Sequence, residues 1–127
     1  MIDHISVAVR DLAASKTFYD AVFEPLGLVC FIAGPDRVGY GKKYPEFWIN
    51  LREDLAPVPA GTGVHICLRA RSVAAVDAFH ANAVKHGGRC DGPPGERQAT
   101  ITSYYGAFVR DLDGNKIEAV TFLQPAP

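Results

Sequence analysis

Apolar and polar positions alternate along two short stretches of the chain, residues 4–9 and 65–70. Ile5, Val7 and Val9 in the first, and Ile66, Leu68 and Ala70 in the second, share one side of an extended backbone, which predicts two strands. After each strand the period lengthens to that of a helix. Leu12, Phe18 and Val22, then Val73, Val76, Phe79 and Ala83, make apolar stripes at helical spacing. Asp11 and Ser72 stand where N-caps are needed. Pro25-Leu26-Gly27 and Gly87-Gly88 supply the stops. Beyond each helix the pattern returns to short strands, predicted over 29–33, 38–41 and 47–51 in the first half, and 88–91, 105–109 and 116–122 in the second. Asp113-Gly114 predicts a two-residue hairpin before the last strand.

The two halves are copies. A shift of 61 residues lays His4-Ile5 onto His65-Ile66, Arg10 onto Arg71, Ala13-Ala14 onto Ala74-Ala75, Phe18 onto Phe79 and Gly27 onto Gly88. That is seven identities over 24 positions without a gap, well above chance. Each copy reads βαβββ and is too short to bury a good core alone, so the two must pack together. The expected fold is α+β, a single domain over 1–127, with modules at 1–53 and 64–124. The connector, 54–63, carries two prolines and two glycines.

Composition narrows the function. The chain has 127 residues and 13 Lys+Arg against 14 Asp+Glu, a formal charge of −1. That lacks the basic footprint of nucleic-acid binding, so no nucleic-acid partner is expected. Glycine and proline make up 21 positions, in keeping with many turns. The longest glycine-inclusive apolar run, 26–34, is nine residues, against the roughly 20 that span a bilayer. No membrane partner is expected, and with Asp3 and Arg10 breaking the first ten residues no signal peptide is read. The expected location is cytoplasmic. Cys30, Cys67 and Cys90 are odd in number and lack CxxC spacing, so they read as reduced, partly buried thiols.

Chemistry enters through the other side of the strands. With Ile5 and Val7 toward a helix, His4, Ser6 and Ala8 face the opposite way, as do His65, Cys67 and Arg69 in the repeat. On the last strand Glu118 shares that side with Lys116, Val120 and Phe122. Curved sheets facing each other would enclose a cup holding His4, His65 and Glu118. Taken singly, each has a plainer reading as a hydrogen-bonded strand histidine or a solvated glutamate. Together, two neutral imidazoles and a carboxylate are the donor set that holds a divalent ion with positions left open. Aligning 49–51 with 117–119 sets Asn50 in the slot equivalent to Glu118, which argues for three protein ligands, not four. Candidate substrate contacts are Ser6, Asn50, Cys67 and Arg69, with Tyr40, Trp48, Tyr104 and Tyr105 as walls. Arg69 is the best anion contact among them. His80 and His86 read as surface residues. Asp111-Leu112-Asp113-Gly114 lacks the spacing of a calcium loop.

At these residues the sequence resembles the vicinal oxygen chelate superfamily, the group of glyoxalase I, fosfomycin resistance enzymes, extradiol dioxygenases and bleomycin resistance proteins. The matching stretches are IDHISVAVRDLAASKTFYDAVFEPLGL, GVHICLRARSVAAVDAFHANAVKHGG and YYGAFVRDLDGNKIEAV. The resemblance implies paired βαβββ modules around an open metal cup, with His4, His65 and Glu118 as ligands and Glu118 as the catalytic carboxylate. It also implies one divalent ion, with iron, manganese, nickel and zinc all compatible. Glyoxalase I proteins usually carry a fourth ligand, a Glu, where this chain has Asn50. Fosfomycin enzymes differ at Gly95-Glu96-Arg97-Gln98, where they carry an anion-binding pattern. Extradiol dioxygenases are commonly longer, bleomycin resistance proteins lack the triad, and Leu112 stands where proline is more usual.

The expected function is that of a metal-dependent glyoxalase-like enzyme acting on a small molecule with adjacent oxygen donors, by lyase or isomerase chemistry. Extradiol-type dioxygenation and fosfomycin-type thiol transfer are the alternatives within the resemblance. A non-catalytic protein that sequesters a drug or ligand in the same cup is the alternative of another class. A homodimer is expected, with the cup built within one chain or across two. Its shape would be set by loops over 35–45 and 92–103.

Overall fold

The computed structural model describes residues 1–123, so the expected end of the second module at 124 lies outside the described residues. The first half folds as β1 (Ile5–Val9), α1 (Leu12–Phe23), β2 (Val29–Ala33), β3 (Arg37–Gly41) and β4 (Phe47–Leu51). A 3₁₀ turn, Glu24–Leu26, closes α1. The second half repeats it as β5 (Ile66–Arg69), α2 (Val73–Lys85), β6 (Arg89–Gln98), β7 (Ser103–Arg110) and β8 (Lys116–Phe122). Two four-stranded sheets result, ordered β1-β4-β3-β2 and β5-β8-β7-β6. In each, the first strand runs parallel to the last and the remaining pairs are antiparallel. The α+β tandem architecture is the one expected. The sheets do not close on one another into a sealed cup.

Local chemistry explains the elements. Asp11 accepts the Ala14 N–H at 3.0 Å and Ser72 accepts the Ala75 N–H at 3.1 Å, so both helices start on the expected caps. Gly27, at φ 74°, ends the first helical segment in the left-handed region that side chains avoid. Phe18 and its repeat Phe79 are both buried, each in the apolar stripe of its helix. Val9, Tyr40, Phe47, Ile49, Val109 and Ile117 join them in one continuous core. Tyr19, Phe23 and Phe47 pack there with ring centroids 4.8–5.3 Å apart.

Polar ties lock the halves together. Asn82 of α2 donates to the Ala21 carbonyl of α1 at 2.8 Å. The turn between β7 and β8 reaches further. Tyr19 donates to buried Asp111 at 2.6 Å, Asp113 accepts from both the backbone and side chain of Arg10, and Asn115 donates to the Ala8 carbonyl. Asp111 also takes the Asp113 and Asn115 N–H groups. Its carboxylate is filled by protein donors, in agreement with the rejection of a calcium loop. Burial, the largest influence, raises Asp111 from its ordinary value against the pull of those hydrogen bonds.

Several expectations are corrected. The hairpin at Asp113-Gly114 is a five-residue turn, since Arg110 pairs with Lys116 and Asp111 organises the residues between. The strand expected at 88–91 continues to Gln98 despite Pro93 and Pro94, so most of the loop expected over 92–103 is strand. Proline is tolerated because β6 is an edge strand, broken by register shifts at Cys90/Gly92 and Gly92/Gly95. Arg97 stitches the irregular stretch, donating to the carbonyls of Pro93 (2.7 Å), Gly95 (3.1 Å) and Gly106. The three cysteines are free and exposed, not partly buried. His80 is half-buried, and its buried Nε2 has no partner among the described residues. Desolvation lowers its pKa. His86 is half-buried as well, its Nδ1 2.9 Å from the Asn82 carbonyl oxygen.

Candidate functional site

Strand parity sorts the sequence candidates. In the second module, β5 directs Cys67 and Arg69 to the face away from α2, with His65 just before it, and β8 adds Glu118. Glu118 is 4% exposed, flanked in the sheet by Cys67 on one side and Phe108 on the other. His65 Nε2 lies 3.2 Å from Glu118 Oε1, and the edge of the His65 ring meets Phe108 at 5.7 Å between centroids. A cavity of about 240 Å³ opens over Glu118, walled by Cys67, Ala99, Tyr104, Val120 and Phe122.

The surroundings are cationic. Lys116 and Arg97 lie over the Phe108 ring at 4.7 and 5.4 Å, and Arg69 lies over Phe122 at 4.9 Å. Although Cys67 is exposed as a residue, desolvation of its thiol, then the Glu118 charge, push it up from 9.0 to about 12. At neutral pH it is a protonated thiol, a poor nucleophile. Tyr104 is raised by the same two causes in the same order, with Arg97 opposing them.

The first module presents a second hollow, of about 380 Å³, containing His4, Ser6, Arg37, Trp48 and Asn50. His4 is exposed just before β1, with Nδ1 2.7 Å from Asp3. A groove of about 400 Å³ is lined by both His4 and His65. Among the described residues, no three His, Cys, Asp or Glu side chains come together in a metal-binding arrangement. One imidazole and one carboxylate, the donor types a divalent ion takes, are side by side at His65 and Glu118. Within one chain His4 is not with them.

Two sequence expectations fall elsewhere. Tyr40 is 1% exposed in the core, donating to Asp20 at 2.8 Å. Tyr105 points toward α2 and donates to Asp77 at 2.6 Å. Neither walls the cup, because both have the parity of core positions: Tyr104, Gly106 and Phe108 share one face of β7, and Tyr105, Ala107 and Val109 the other. Alternation alone could have separated Tyr104 from Tyr105. The fourth-ligand slot is also corrected. Ser6 pairs with Trp48 while its repeat, Cys67, pairs with Glu118. Trp48, not Asn50, therefore occupies the place equivalent to Glu118; Asn50 corresponds to Val120. An indole cannot ligate a metal, so the slot offers no fourth donor. Phe108, Arg97 and Arg37 were missed. Arg97 and Arg37 lie in stretches rich in glycine and proline, where nothing marks the face a side chain takes; Phe108, in the predicted strand, could have been found by the same alternation.

Comparison with known proteins follows the same architecture. The Glyoxalase/Bleomycin resistance protein/Dioxygenase superfamily matches residues 1–119. The crystal structure of a glyoxalase/bleomycin resistance protein from Albidiferax ferrireducens T118 is 38% identical, with a TM-score of 0.82 over 93% of this chain and 96% of that one. A glyoxalase/bleomycin resistance protein/dioxygenase family enzyme from Burkholderia phytofirmans PsJN is 20% identical, with a TM-score of 0.73 over 96% and 98%. The fosfomycin resistance protein FosX from Mesorhizobium loti shares the fold at 18% identity, with a TM-score of 0.69 over 95% and 91%. No curated protein matches the sequence significantly.

Proposed function

This chain belongs to the glyoxalase/bleomycin resistance protein/dioxygenase superfamily, and on that premise we propose that it is a metal-dependent enzyme acting on a small molecule with adjacent oxygen donors. His65 and Glu118 are its metal-holding pair, and His4 of a second copy is the third ligand. The observation that carries this reading is the 3.2 Å approach of His65 Nε2 to the buried Glu118 carboxylate. Burying a carboxylate costs free energy unless a cation or donors compensate. A divalent ion between the two groups would supply that compensation.

When bound, the ion acts as a Lewis acid, stabilising negative charge on neighbouring substrate oxygens. The chain's own residues do the rest. Phe108 props the His65 ring, and Tyr104, Val120 and Phe122 keep water from one side of Glu118. Arg69, spread over Phe122, offers a charged donor at the rim. Lyase or isomerase chemistry is the reaction class we favour, with Glu118 the carboxylate nearest the reacting atoms. His4 from a second copy is favoured over His4 of the same chain because the latter is turned to Asp3 and, among the described residues, does not join His65 and Glu118. A two-fold dimer repeats any such contact, so both cups would be completed at once.

The test is elemental analysis of protein purified without chelator, beside His65→Ala. Bound divalent metal in the parent, lost in the variant, is expected. Metal-free parent protein that takes up no iron, manganese, nickel or zinc would overturn the reading in favour of ligand sequestration.

A further inference from the structure

The hollow of the first module contains a cation, Arg37, that makes no ion pair among the described residues. Arg37 is exposed and lies over the Trp48 ring at 5.5 Å. The one carboxylate in the hollow, Asp3, is engaged with His4. Among the described residues, the Arg37 guanidinium, the Ser6 hydroxyl and the Asn50 amide make no side-chain hydrogen bond or ion pair, yet all three border the same space of about 380 Å³. The platform under Arg37 is built, not incidental. A Cβ at Gly39 would stand 2.8 Å from the Trp48 ring and 3.0 Å from Pro45, so only glycine lets the indole lie there. Arg37 and Asn50 are cross-strand partners on β3 and β4, with Ala8 and Ser6 on the neighbouring strand.

A guanidinium presented over an indole and ringed by uncommitted donors is suited to a planar oxyanion. We infer that this hollow is the specificity pocket for a carboxylate group of the substrate, with Arg37 as the charged contact and Ser6 and Asn50 as neutral ones. The inference rests on the proposed function for its role, since it names the substrate class of that cup: small organic acids, not neutral molecules. It adds Arg37 and Gly39 to the residues that determine specificity.

Trp48 is the chain's single tryptophan, so its emission reports on this hollow alone. The probes are lactate and its neutral amide, lactamide, which both carry neighbouring oxygens and differ in charge. Each is titrated against the full chain, freed of metal with a chelator that is then dialysed away, at fixed ionic strength, by Trp48 emission and by calorimetry. Lactate is expected to bind at least about tenfold more tightly than lactamide, the worth of one charge-assisted contact. Arg37→Gln should lose that preference at unchanged melting temperature. Arg52→Gln removes an equal charge outside the hollow and should keep it. Competition by inorganic phosphate as strong as by lactate extends the class to oxyanions generally and supports the pocket. Equal binding of lactate and lactamide, no binding of either by both methods, or equal losses in the two arginine variants would overturn the inference. Because the titrated protein is metal-free, failure here is separate from failure of the metal reading, which appears in the metal content.

Discussion

Glu118 is more buried than any other acidic side chain on the open face of either sheet, and its neighbours respond to its charge. Metal-free protein should therefore be strained at this residue. Glu118→Gln is expected to leave thermal stability unchanged or raise it by up to about 1 kcal/mol, as removal of a buried charge does, while abolishing bound metal. Melting curves beside elemental analysis check both halves of the statement. Cys67 provides a second gauge. Folding raises its pKa, so the unfolded chain gives up that proton first as pH rises. The associated stability is full below pH 9 and is lost as pH climbs toward about 12. Removing the neighbouring anion should lower the folded value. Each unit of lowering multiplies the thiolate fraction about tenfold, so Glu118→Gln should accelerate iodoacetamide labelling of Cys67 at pH 8, read by mass spectrometry of its peptide. An unaltered rate would remove Glu118 as a cause. The pairing of His65 with Glu118 was legible from repeat and parity together. The pressure of one on the other was not, because depth within a sheet is a property of what packs beside it.

At the scale of elements, helices were easier to read than edge strands. Caps, stripes and stops are local, and Asp11, Ser72 and Gly27 carry them in the sequence itself. Strand β6 shows the opposite case. Gly92, Pro93, Pro94 and Gly95 signal a loop, and only a position at the sheet's edge, with a side chain to replace ladder donors, makes them a strand. Arg97 is that side chain. Arg97→Met takes the guanidinium from over Phe108 and withdraws its donors from three carbonyls. The expected loss is about 1–3 kcal/mol in urea denaturation, with faster amide hydrogen exchange confined to residues 92–98. Exchange that stays slow there would show that the bulged strand holds without it.

Across the whole molecule, the two modules are coupled by the β7–β8 turn and by the helix pair. Tyr19, fully buried on α1, donates to Asp111 across the module boundary, and burial holds its phenol well above the ordinary tyrosine value. Tyr19→Phe should cost about 1.5–3 kcal/mol, the worth of a hydrogen bond to a charged group, by chemical denaturation. The proposed cup makes a sharper prediction about assembly. His4→Ala and His65→Ala proteins should each bind no metal, yet unfolding and refolding them together should restore about a quarter of the sites. That is the random expectation when one cup in each mixed two-fold dimer is intact. No restoration would place all three ligands within one chain. The sequence by itself determined the repeat, the helices and the face to which most strand residues turn, because alternation and capping are written in neighbouring residues. Tertiary structure alone decided the register that puts Trp48 in the place equivalent to Glu118's, the separation of His4 from its expected partners, and the openness of the sheets. A period of two assigns a side but cannot distinguish registers two residues apart; turn geometry and core packing make that choice.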